Sequence, residues 1–163
     1  MSLKTTHFQK QIMENTNLLL MKELTGQKLS QIPSGLTQWL DGILTEANEG
    51  SVAVTYHVRK DMLNPAGTLH GGVIATMLDD LVGMTMFTTG EDAFHSTINF
   101  SIDYFESAKL GDTVIARSKL MKKGNRVSNI ELILEKEDGR ILAKAHTNLI
   151  KTQFDIKRKI FNH

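Results

Sequence analysis

Residues 72–88, GVIATMLDDLVGMTMFT, limit what this chain can fold into more than any other stretch. The run is too long for an ordinary strand. Wound at 3.6 residues per turn it presents hydrophobes almost all the way round, the pattern of a buried helix. Four extended runs rich in β-branched and aromatic residues follow it: HSTINFSIDYFES, DTVIARSKLM, RVSNIELILEKE and RILAKAHTNLIKT. Turn chemistry separates them at Lys109 to Gly111, at Lys123-Gly124-Asn125 and at Asp138-Gly139. Ahead of the helix, from Leu36 on, GLTQWLDGILTEA and SVAVTYHV read as two more strands around a turn at Asn48-Glu49-Gly50. One flat face cannot cover a helix that is apolar on every side. The expected architecture is α+β, an antiparallel sheet curled around one long central helix, with a second copy of the chain covering what remains.

At 163 residues and 40% hydrophobic content, the chain is long enough for one core and a single domain. Thr6 is placed to cap a further helix running to about Leu24, with Gly26 as its stop. Residues 1–35 are thus expected as an N-terminal helical extension, 36–152 as the main domain and 153–163 as a basic tail. Nineteen Lys and Arg against eighteen Asp and Glu leave no global field to draw the chain to nucleic acid or an anionic membrane. The absence of cysteine excludes disulfides, thiolate zinc sites and a cysteine nucleophile, and fits a reducing, cytoplasmic setting. The apolar cluster near the start, Leu18 to Met21, is too short for a signal sequence or a membrane span. With no HExxH and no GxGxxG after a strand, neither a metal nor another cofactor is expected.

The entry to the central helix, NPAGTLHGG, carries the chemistry. Pro65 holds Asn64 extended and Gly67 permits positive φ, so a loop precedes the helix. Gly71 and Gly72 then fall in its first turn, where each is about 1 kcal/mol worse than alanine. Two explanations stand: tight packing on a neighbouring backbone, or an approach for a ligand to the unpaired N–H groups of a helix N-terminus. The second is a site for a developing oxyanion. Further along, Asp79 shares a stripe with Gly72, Ala75, Thr76 and Gly83, whereas Asp80 lies with Val73, Met84 and Phe87. A carboxylate in a buried helix needs a partner or a function. The small residues around Asp79 leave room for another molecule, and Asp80 reads as a partner-bonded group. Eight residues of rise put Gly71 and Asp79 about 12 Å apart, too far to serve one substrate within one chain. If both act in catalysis, Asp79 must come from a second subunit across a two-fold axis, which makes a homodimer.

The spacing N-x2-G-x2-H-G-G-x6-D, carried by Asn64, Gly67, His70, Gly71, Gly72 and Asp79, resembles that of the PaaI-like acyl-CoA thioesterases of the hotdog fold. TINFSIDYFESAKLGD and GNRVSNIELILEKEDGRILAKAHT are similar to later strands of that family, and the likeness covers roughly residues 36–150. It implies a sheet wrapped around the long helix, dimers with a shared sheet that often pair into tetramers, and hydrolysis of a CoA thioester. It further implies that the Gly71 N–H polarises the thioester carbonyl with Asn64 as a polar partner, and that His70 helps place the thioester. Asp79 of the partner subunit would act as nucleophile or general base, and Thr97 would orient the water. Strict alternation sets Thr97 with Asn99, Ser101 and Asp103, opposite the helix-facing Ile98, Phe100 and Ile102. Thr97 therefore reaches the site only near a strand end or a bulge.

Lys122, Lys123 and Arg126 flank a Gly-Asn turn and are candidates, with Gly72, for binding the CoA substrate through its phosphates. The acyl pocket is expected among Met77, Met84, Met86 and Phe87. Two alternatives stay open: a hydratase or dehydratase using His70 and Asp79 on one acyl group, and an acyl-CoA-binding protein without turnover, which would not require Asp79.

Overall fold

A computed structural model describes residues 15–155. Helix α1 spans Thr16–Glu23 and α2 Gly35–Leu40; strands β1 (Ile43–Asn48) and β2 (Ser51–His57) precede the long helix α3 (Gly71–Phe87). Strands β3 (Ala93–Tyr104), β4 (Thr113–Lys122), β5 (Val127–Lys136) and β6 (Ile141–Asp155) follow it. All six strands form one antiparallel sheet in the order β1-β2-β4-β5-β6-β3.

That order and the helix contacts together require a curved sheet. α3 touches β2, β4, β5 and β3, and β2 and β3 are four strand spacings apart, about 19 Å along a flat sheet. A helix only about 10–12 Å across reaches both only if the sheet wraps around it. The wrapped face is apolar in alternation: Val114 and Ala116 on β4 and Ile130, Leu132 and Leu134 on β5 are fully buried against Met77, Leu78 and Leu81 of α3. The far end of α3 is stitched to the β1–β2 turn, where the Gly50 N–H donates to the Thr88 hydroxyl at 2.9 Å. No helix among the described residues is long and apolar enough to cross a membrane.

Several expectations change. The segment from Leu36 does not begin a strand: Gly35–Leu40 is a helix, and β1 starts at Ile43. Ser34 caps it by accepting from the Thr37 N–H at 3.3 Å, and Asp41 ends it in the left-handed region at φ 53°. The preceding helix ends by Leu24 with Gly26 beyond it at φ 85°, but it begins at Thr16. Asn15, at ψ 85°, is its cap and accepts from the Leu18 N–H at 3.0 Å. Thr6 lies outside the described residues. β6 runs on to Asp155, past the expected start of the tail at residue 153.

Candidate active site

At the entry to α3, residues 64–68 close on themselves. The Asn64 Oδ1 accepts from the N–H groups of Ala66 and Thr68, and its Nδ2 donates to the Thr68 hydroxyl at 2.9 Å. Asn64 thus uses its side chain to hold the loop rather than to extend from it. The Leu69 N–H donates to Ala108 O and the His70 N–H to Met62 O, which fixes the loop to its surroundings. His70 is the N-cap of α3: its Nδ1 accepts from the Gly72 N–H at 2.8 Å, so the neutral ring carries its proton on Nε2. The His70 carbonyl takes the N–H groups of Val73 and Ile74 at 2.9 and 3.0 Å.

Of the first-turn donors, only the Gly71 N–H has no acceptor among the described residues. The loop and the histidine consume the other orphan donors of the helix end and leave one, with its share of the positive end of the helix dipole. Tyr104, at the end of β3, donates its hydroxyl to the Gly71 carbonyl at 3.0 Å and lays its ring against Gly71. Sequence reasoning passed over Tyr104, although alternation from Phe100 and Ile102 already put it on the helix-facing side.

Along α3, only Gly72, Asp79 and Gly83 of the seventeen residues are exposed. The exposed residues of the helix all lie on the stripe that carries Asp79. Partial burial raises the pKa of the Asp79 carboxyl above its ordinary value, and the nearby Thr97 hydroxyl offsets part of the rise. Thr97 reaches Asp79 because the β3–β6 register slips between Thr97 and Asn99, a bulge that breaks strict alternation. The same bulge turns Ile98 outward to 54% exposure, against the expectation that it packs on the helix, while Phe100 and Ile102 pack on the core as expected. Asp80 is partner-bonded: its Oδ1 accepts from the Thr37 hydroxyl at 2.7 Å, and burial is the main cause of its raised pKa.

Asp79 and Thr97 line a cavity of about 500 Å³. One wall is the stretch of α3 from Asp79 to Phe87, including Gly83, Met84 and Met86. The roof is Leu20 of α1 and Leu24 at its C-cap with Ile32 and Leu36 around α2, and Phe94 of β3 contributes a further side. Met77 is not part of it; it is fully buried in the core. At the basic turn, Lys123 is committed to Glu91, with Nζ 3.1 Å from Oε1, and Glu91 also pairs with Lys151. Lys122 and Arg126 are exposed and form no ion pair among the described residues. The described residues contain no group of three His, Asp or Glu side chains placed to hold a metal ion.

Residues 66–143, from the loop before α3 into β6, match the family model "Thioesterase superfamily". Human acyl-coenzyme A thioesterase 13 is 30% identical over 106 residues, 64% of this chain and 76% of that protein. The chain belongs to the thioesterase superfamily. Within it, this thioesterase is PaaI-like, has the hotdog fold, and is a thioester hydrolase. A Streptococcus mutans protein solved with acetyl-CoA is 27% identical, with a TM-score of 0.68 over 76% of this chain and 95% of its own. The Escherichia coli PaaI protein shares the fold at a TM-score of 0.72 over 86% of this chain and 94% of its own, with 17% identity. The matched region contains Gly71, Asp79, Thr97 and Tyr104, while the roof of the cavity lies outside it.

Proposed function

We propose that this thioesterase hydrolyses acyl-CoA at a site shared between two copies of the chain. The Gly71 N–H of one copy polarises the thioester carbonyl, and Asp79 of the other activates water or attacks the carbonyl. The observation that carries this reading is the pairing of one open N–H at Gly71 with one open carboxylate at Asp79. The two lie on one helix, about 12 Å apart by helical rise. An oxyanion donor and a base must both come within about 3 Å of the reacting centre. Two helices side by side and antiparallel bring the start of one to the middle of the other, and do so twice under a two-fold axis. β3 is a long edge strand with Ile98 exposed, a template for pairing with a second copy.

In this scheme His70 supports the site by capping Gly72 and leaving Gly71 free. Asn64 shapes the loop that presents the N–H. Thr97 steers the carboxylate and its water, and Tyr104 braces the helix end. Partial burial of Asp79 favours a base that holds its proton better than a free carboxylate. Gly72, Lys122 and Arg126 are the candidates for the CoA moiety in this reading, whereas Lys123 contributes less because Glu91 neutralises it. The test is release of free CoA thiol from a panel of acyl-CoAs by wild type and by Asp79→Asn. Turnover by wild type and its loss in the variant are expected. A folded wild type that releases thiol from none of the panel contradicts the proposal.

A further inference from the structure

Gly83 lies in the interior of α3, where glycine is a poorer helix former than alanine. Two structural reasons normally account for such a glycine, and neither applies within one copy of the chain. Its φ is not in the left-handed region, and a Cβ added to it meets nothing within 4 Å. What it does is keep space open in the wall of the cavity, one turn beyond Asp79 and one turn before Phe87, with all three on one side of the helix. From Asp79 to Phe87 the helix rises about 12 Å, room for a straight chain of roughly eight to ten carbons at ordinary bond lengths. The walls beside this track include the apolar Leu20, Leu24, Ile32, Met86 and Phe94, with polar groups at Asp79, Asp80 and Thr97 and again at Glu91 and His95.

We propose that Gly83 is a specificity-determining residue: the acyl chain of the substrate runs from Asp79 past Gly83 toward Phe87, under a roof made by α1 and α2. The proposal rests on the acyl-CoA reading above. The roof lies outside residues 66–143, so the depth of the channel is set by the N-terminal segment that packs on α3. An unbranched, apolar acyl group fits this channel, and a side chain at position 83 blocks its deep half while leaving the Asp79 end clear.

The test compares kcat/KM for unbranched acyl-CoAs from acetyl to dodecanoyl in wild type, Gly83→Leu and Leu24→Trp. The wild-type values should rise with chain length to a maximum near eight to ten carbons. In both variants the decanoyl-to-butanoyl ratio should fall at least about tenfold, since each methylene expelled from an apolar site costs roughly fourfold. Leu24→Trp narrows the channel from the roof without altering α3, so it decides the matter if Gly83→Leu fails to fold. An unchanged ratio in the folded variants overturns the proposal. So does a Gly83→Leu protein that loses its subunit association with the ratio intact, because Gly83 is then a contact between copies. If wild type hydrolyses nothing, the catalytic reading falls alone. Calorimetric binding then decides the channel: tighter binding of decanoyl-CoA than acetyl-CoA, lost in Gly83→Leu, supports it, and no chain-length dependence overturns it.

Discussion

Gly71→Pro removes the one N–H on which the oxyanion assignment depends and changes little else. Gly71 is the first residue of α3, the helix position where proline is best tolerated because no N–H is needed for the ladder. His70 before it already has the extended ψ of 132° that a following proline demands. A Cβ at position 71 stands 3.4 Å from the Tyr104 ring, an ordinary contact. The reduced freedom of the unfolded chain stabilises such a substitution by about 0.4–1 kcal/mol, so the melting temperature should hold or rise. Catalysis should not hold: loss of one oxyanion donor costs about 2.7–4 kcal/mol, or roughly 10²–10³ in kcat. Gly71→Ala is the control, since it adds the same Cβ and keeps the N–H. Steady-state thiol release with matched thermal melts separates the two. A Gly71→Pro enzyme that melts like wild type and turns over within about threefold of it refutes the oxyanion assignment.

Three further outcomes follow from the same geometry. Thr97 lowers the Asp79 carboxyl against the rise caused by burial; in Thr97→Val the acid limb of the pH profile of kcat/KM should therefore move to higher pH, and a limb that stays put or moves down contradicts the assignment. The raised folded-state pKa of Asp79 means the fold disfavours the charged form, a penalty present above that pKa and absent below the unfolded value. Asp79→Asn should accordingly be more stable than wild type at neutral pH, with the advantage shrinking as pH falls into the carboxylate range; urea titrations across pH that show the opposite sign count against the burial argument. Among the described residues the Tyr56 hydroxyl is buried without a hydrogen-bond partner, and burial with Asp80 nearby raises its pKa. Because an unpaired buried group costs about 1–3 kcal/mol, Tyr56→Phe should be as stable as wild type or more so, and a clear loss of urea stability would mean the hydroxyl has a partner.

The long helix and the four strands after it were legible because burial on all sides and strict turn chemistry leave few options. So was the contrast between an exposed Asp79 and a partner-bonded Asp80, which depends only on helical phase. α2 was not legible. LTQWL carries Thr and Trp, both common in strands, and the helix is held by contacts remote in sequence. The Thr37 hydroxyl donates to Asp80, and Arg59 donates to the carbonyls of Leu40 and Trp39 while its guanidinium stacks 5.5 Å from the Trp39 ring. The bulge after Thr97 was anticipated only as a condition, because period-two alternation carries no record of a register slip; Ile98 was misplaced for the same reason. Lys123 looked like a free cation because Glu91, its partner, is thirty-two residues away in sequence. The cavity roof needed the packing of α1 and α2 onto α3, which no local pattern encodes.

The claim that each active site draws on two copies of the chain is tested most directly by subunit complementation. Gly71→Pro and Asp79→Asn proteins, each inactive alone, are mixed, dissociated and reassociated, and thiol release is measured. In a shared-site dimer, every mixed pair contains one site with an intact Gly71 N–H from one copy and an intact Asp79 from the other. Random pairing should then restore about a quarter of wild-type activity. If no activity returns while exchange of subunits is confirmed, Gly71 and Asp79 do not act across the interface, and the two-copy site is wrong.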